Sequence, residues 1–182
     1  MKKLFPILLF LVTALTLTGC GYQKPEKYSI QELSVDSITT VCKTDCSLSD
    51  VNVATTDSSC SASYEYTDVA EDKGVADAKT YHEYLKAEKS CVKIDDFEEA
   101  KGTYTAYIGN PDVARQVIQD NAKNKKDSVD NKENANNKNG GKKKEELIAA
   151  GFSIKVTFTK DSYTVTMTDN VVLNDVLVPQ SK

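Results

Sequence analysis

Tryptophan is absent from the 182 residues, histidine and arginine occur once each, and proline occurs four times. Each scarcity closes a class of function. A single histidine, His82, cannot build a multi-histidine metal centre or a paired-imidazole system. With Arg115 as the only arginine, the bidentate forks that clamp phosphates are scarce. The formal charge of −4 opposes the basic surface that nucleic acid requires. No P-loop, G-x-G-x-x-G, G-x-S-x-G or H-E-x-x-H pattern occurs, so the sequence names no catalytic residue, cofactor or metal site. One apolar run stands out, from Leu4 to Leu17, behind the basic pair Lys2-Lys3. A spanning helix needs about 20 apolar residues, so this run is too short to cross a bilayer as a stable helix.

The run ends in Leu17-Thr18-Gly19-Cys20. A basic start, a short apolar core, small residues and an abutting cysteine together resemble the lipobox of bacterial lipoprotein signal peptides. That resemblance implies a diacylglyceryl group on the Cys20 sulfur, cleavage between Gly19 and Cys20, and acyl chains of the palmitate kind. The bilayer is then the first partner, met through the Cys20 acyl groups at the extracytoplasmic face of the cell membrane. Each buried methylene adds about 0.8 kcal/mol to such an anchor. Loss of residues 1–19 removes Lys2 and Lys3 and makes the mature chain more acidic by two charges. Residues 20–28, polar and with Pro25, read as a tether; 29–178 read as a single domain, and 179–182 as a tail.

Within the domain four segments alternate strictly. Ala62, Tyr64 and Tyr66 form one apolar row, and Tyr104, Ala106 and Ile108 a second. Phe152, Ile154, Val156 and Phe158 are followed by Tyr163, Val165 and Met167 across a turn at Lys160-Asp161-Ser162, which predicts a hairpin. Serine and threonine dominate the opposite faces. Such strands predict an antiparallel sheet packed on one side and wet on the other. A helix over Val75 to Lys89, with Val75, Ala78, Tyr81, His82 and Leu85 on one stripe, is expected to cover it. A second helix starts at Pro111 with Asn110 as its cap. Further strands are expected near Ile38 to Lys43, Cys91 to Ile94 and Val171 to Val178. The fold class is α+β. From about 121 to 144 the chain has almost nothing to bury, which predicts a disordered Lys/Asn-rich insertion bracketed by a second helical signal at Leu147 to Ala150.

Besides Cys20 the cysteines are Cys42, Cys46, Cys60 and Cys91. Outside the cytoplasm four cysteines most often make two disulfides, of which three pairings are possible. Cys60 opens a predicted strand and Cys91 follows the helix expected to return beside it, so the favoured bridges are Cys60 to Cys91 and Cys42 to Cys46. The C-x3-C spacing fits neither a zinc ribbon nor a thioredoxin-like site. The acids Asp95, Asp96, Glu98 and Glu99 read as a solvated turn, and most tyrosines as core. Tyr107 and Tyr84 are the exceptions, placed where an exposed aromatic pair would suit a glycan or protein.

The stretch from Tyr64 through YHEYLKAEKS, IDDFEEAKGTYTA and SIKVTFTKDSYTVTMTD is similar to small surface lipoproteins of Gram-positive bacteria. The likeness implies fold and location and no activity. The expected function is therefore a non-catalytic accessory or binding lipoprotein whose partner is a protein or an envelope polymer. Two rival readings are an envelope enzyme built around His82 and a peptide pheromone cut from Leu9 to Gly19 of the signal. The anchor is tested by Cys20→Ser followed by fractionation. The wild-type chain is expected in the membrane fraction and the variant in the soluble fraction, and equal partitioning of the two refutes lipidation.

Overall fold

A strand that alternates apolar and hydroxyl side chains can bury only one face, and the computed structural model gathers such strands into one antiparallel sheet. Residues 22–30, 33–56, 59–130, 151–169, 171 and 176–177 are described. The elements run β1 Lys27–Ile30, β2 Leu33–Asp36, α1 Ile38–Cys42, β3 Ser47–Thr55, β4 Cys60–Thr67 and α2 Lys73–Ala87. They continue as β5 Cys91–Ile94, β6 Thr103–Gly109, α3 Pro111–Asp130, β7 Gly151–Phe158 and β8 Tyr163–Thr168. Six strands pair in the order β3-β4-β8-β7-β6-β5, while β1 and β2 form a separate pair. The α+β class and the antiparallel sheet agree with the sequence.

Register explains the core. Ala62, Met167, Ile154 and Ala106 make one row across four strands, and Tyr64, Val165, Val156 and Tyr104 make the next. Ile154, Val156, Val165 and Phe152 are fully buried, and each such side chain contributes about 1.5–3 kcal/mol. Helix α2 lies on this face, with Ala78, Tyr81 and Leu85 inaccessible to solvent. Its start is pinned where α2 meets the β7–β8 turn. Gly74 N–H donates to Lys160 O at 2.9 Å, and a Cβ on Gly74 would stand only 2.9 Å from that same oxygen. Any larger residue there forces the helix off the turn.

Phenol hydroxyls join the layers. Tyr104 Oη on β6 donates to Ala78 O of α2 at 3.0 Å, and Tyr81 Oη of α2 donates to Asp36 O at the end of β2 at 2.9 Å. Tyr28 of β1 and Tyr66 of β4 share a hydroxyl hydrogen bond of 3.0 Å. The β1–β2 pair is therefore part of the cover over the sheet. Because Tyr28 is 1 % exposed, the expected tether of 20–28 is corrected: the folded unit already includes β1.

Other expectations change as well. Ile38 to Lys43 is not a strand but α1, because Ser37 Oγ accepts from Thr40 N at 3.2 Å and buried Ile38 holds the turn down. The N-cap outweighs the strand preference of Ile38, Thr39, Thr40 and Val41. Residues 121–130, expected to be disordered, continue α3, since lysine and alanine favour helix by their intrinsic propensity. The rest of that insertion, the helical signal at Leu147 to Ala150 and most of the tail lie outside the described residues. Val171 N–H does donate to Gly151 O at 3.3 Å, but Val176 and Leu177 are helical, against the expected strand. The helix expected from Val75 to Lys89, the cap at Asn110, the strand at Cys91 and the hairpin at Lys160-Asp161-Ser162 all appear.

Candidate functional site

The face of the sheet turned away from α2 carries hydroxyl side chains, and at its β5 side Val92 packs against Ala114 of α3 while Lys93 Nζ donates to Val176 O at 3.1 Å. Ser61 and Ser63 of β4, Thr164, Thr166 and Thr168 of β8, Ser153 and Thr157 of β7, and Thr103 and Thr105 of β6 line it, each at least partly exposed. This arrangement follows directly from period-two alternation. Ser63 Oγ and Thr166 Oγ1 lie 3.0 Å apart across the β4–β8 pair, and Thr103 Oγ1 donates to Val156 O at 2.9 Å. Glu65 and Lys155 stand exposed among the hydroxyls. Toward β5 the face deepens into an open groove of about 470 Å³, bounded by Lys93, Asp95, Asp96, Glu98, Lys101, Thr105 and Lys155.

Of the acids expected as a solvated turn, Asp95, Asp96 and Glu98 line this groove. Asp95 Oδ2 accepts from Thr105 N at 3.2 Å, and Lys101 Nζ donates to Glu98 Oε1 at 2.6 Å. Glu99 opens the 3-10 turn Glu99–Lys101. Tyr107 faces the open side as expected, half-buried, with Lys93 Nζ 5.7 Å from its ring centroid. Tyr84 does not join it. Its hydroxyl accepts from Asp36 N at 3.1 Å and its ring stacks on Tyr81 at 5.8 Å, so the expected aromatic pair reduces to Tyr107 alone.

His82 is 4 % exposed and packed among aromatics, edge-on to Tyr104 at 5.0 Å and to Phe97 at 5.7 Å. Nε2 lies 2.9 Å from Asp95 O, which makes that nitrogen the donor. Nδ1 meets Glu83 Oε1 at 3.4 Å. Through Nε2 the imidazole thus ties α2 to Asp95, directly after β5.

All four described cysteines are thiols, against the expected bridges. Four strand steps separate β4 from β5, about 19 Å at the usual spacing. A Cys60 to Cys91 disulfide needs its Cα atoms within about 7 Å. The strand order therefore rules that bridge out, a consequence invisible before β8 and β7 are known to lie between. Cys42 Sγ donates to Asp77 O at 3.4 Å, and Cys46 Sγ meets Tyr163 Oη at 3.6 Å. Each sulfur has its own partner. Beside them Thr44 Oγ1 donates to Asp77 Oδ2 at 2.5 Å, and Asp77 is only 6 % exposed. Sequence reasoning passed over Asp77, although it falls on the stripe that also carries Ala78, Tyr81 and Leu85.

Burial, with the Asp77 carboxylate adding to it, pushes the Cys42 thiol from its ordinary 9.0 up to about 12. Raised folded values stabilise the fold in full below the unfolded pKa and withdraw that stability as pH rises through the folded one. The contribution of Cys42 is accordingly constant below pH 9 and lost toward pH 12. Alkylation of the native chain at pH 8, read by mass spectrometry, is expected to leave Cys42 unmodified, while denaturant without reductant exposes all four thiols. A Cys42 to Cys46 mass loss of two hydrogens would contradict the thiol assignment.

Among the described residues no group of three His, Cys, Asp or Glu side chains is placed to hold a metal ion, and no helix is long and apolar enough to cross a membrane. Comparison with protein-family models, with curated proteins and with solved structures returns no match.

Proposed function

We propose that the chain is a lipid-anchored extracytoplasmic lipoprotein whose domain binds an envelope component and does not transform it. One observation carries the binding half of this reading: the sheet face turned away from α2 is built from serine, threonine and a few charges, each at least partly exposed among the described residues. Short hydroxyl side chains on a pleated surface, with threonine already stiff at χ1, lose little rotamer freedom when they bind. They offer donors and acceptors at regular spacing. Such a face suits a partner that is itself rich in hydroxyls, and the mixed lysines and carboxylates of the groove suit one that carries both amines and acids. A cell-wall glycan meets both conditions. The lipobox at Leu17-Thr18-Gly19-Cys20 supports the location, because acylation at Cys20 holds the domain within reach of that polymer.

Against the envelope-enzyme reading stands the burial of His82, which is 4 % exposed with Nε2 donating to Asp95 O at 2.9 Å. Peptide release from Leu9 to Gly19 concerns the signal alone and is compatible with any role of the domain.

Co-sedimentation of the purified chain with washed cell-wall glycan tests the proposal. Wild type is expected in the pellet. Lys155→Glu combined with Thr166→Lys, which replaces the centre of the open face without touching the core, is expected to weaken binding about tenfold or more, one 1.4 kcal/mol step. Equal sedimentation of wild type and variant, or none by either, would refute the open face as the binding surface.

A further inference from the structure

The two edges of the six-stranded sheet are unlike. β5 has four residues, carries Lys93, shifts register between Cys91 and Lys93, and has Val92 packed against Ala114 of α3. Shortness, an edge lysine, a bulge and a covering helix are the usual devices that stop an edge from pairing. β3 is nine residues long, has no lysine or proline, and bears a single charge at Asp50. Its register shift falls between Leu48 and Asp50, which leaves 51–55 regular.

The direction of its backbone groups follows from the hairpin. Thr56 N–H donates to Ser59 O at 2.8 Å, and bonded and non-bonded pairs alternate along an antiparallel ladder. Asn52 and Ala54 consequently direct their backbone groups to Ser63 and Ser61 of β4. Val51, Val53 and Thr55 aim theirs away from β4, at the open edge. Their side chains lie on the apolar side, opposite Tyr64, Ala62 and Cys60, and Val53 is 49 % exposed.

We propose that β3 is a homodimer interface, with two copies pairing β3 against β3 in antiparallel fashion about a two-fold axis at Val53. The strand is complementary to itself. In this register Val53 faces Val53 of the second copy and Val51 faces Thr55, so each outward N–H meets an outward C=O. Asp50 faces the neutral Thr56, and the two carboxylates stay apart. A two-fold axis perpendicular to the sheet keeps both apolar sides together, so the valines complete a strip that continues onto Ala62 and Tyr64. One patch serves both subunits, as an isologous contact requires.

Light scattering of the full chain in a non-ionic detergent, with Val53→Pro and Val53→Lys beside it, tests this. Proline at 53 deletes an edge-facing N–H and leaves the bonds to β4, which Asn52 and Ala54 make. The wild-type chain is expected to be a dimer, and both variants are expected to be folded monomers by circular dichroism, with dimer affinity down about tenfold or more. A monomeric wild type overturns the proposal, as do folded variants that dimerise equally well. If the wild type is monomeric and its Val51, Val53 and Thr55 amides are nevertheless slow to exchange, the edge belongs to another segment of the same chain, and the proposal fails in that case too.

Discussion

The fold depends on burying phenol rings whose hydroxyls must still find a partner. Tyr28, Tyr66, Tyr81, Tyr104 and Tyr163 are each at most 2 % exposed, and a buried hydroxyl left alone costs about 1–3 kcal/mol. None of the five can therefore be placed by hydrophobicity alone. Tyr104 finds its acceptor on α2, Tyr81 on β2, Tyr28 on Tyr66, and Tyr163 on Cys46. The first three of these bonds link two different elements and the fourth ties β8 to the α1–β3 connection, so the hydroxyls that permit burial also fix how α2, the β1–β2 pair and the sheet sit on one another. An aliphatic core of equal volume would leave the cover free to slide.

One-sided burial has consequences on the other side. The alternation that supplies tyrosine, valine and isoleucine to the core supplies serine and threonine to the opposite face, where each is at least partly exposed. The same sheet has one blunted edge at β5 and one regular edge at β3. Binding surface and pairing edge thus arise from a single sheet, and they are separable because the hydroxyl face and the β3 backbone lie at right angles. A dimer through β3 extends the open face without covering it.

Much of this was legible in the sequence where the pattern was local. The rows of β4, β6, β7 and β8, the stripe of α2 and the cap at Asn110 depend on residues within one element, and all were read correctly. What failed depended on neighbours in space. The run Ile38 to Val41 has strand propensity, yet Ser37 and the burial of Ile38 make it helical. Tyr28 looked like part of a tether because its partner, Tyr66, is 38 residues away. The Cys60 to Cys91 bridge failed because two later strands insert between β4 and β6. The open hydroxyl face was implicit in the alternation, whereas the groove at Lys93, Asp95 and Lys155 needed the pairing of β5, β6 and β7 to bring its walls together.

Burial raises the phenol pKa of each of the five core tyrosines above its ordinary 10.0, and for each of them burial is the largest cause. Folded values above unfolded ones mean that the stabilisation is complete below pH 10 and is lost as pH rises further. Ultraviolet titration of phenolate, followed together with circular dichroism, is the most direct test. The five core phenols are expected to ionise only in step with unfolding, after the exposed tyrosines have titrated. Ionisation of all the tyrosines near pH 10, with the fold intact, would contradict the account.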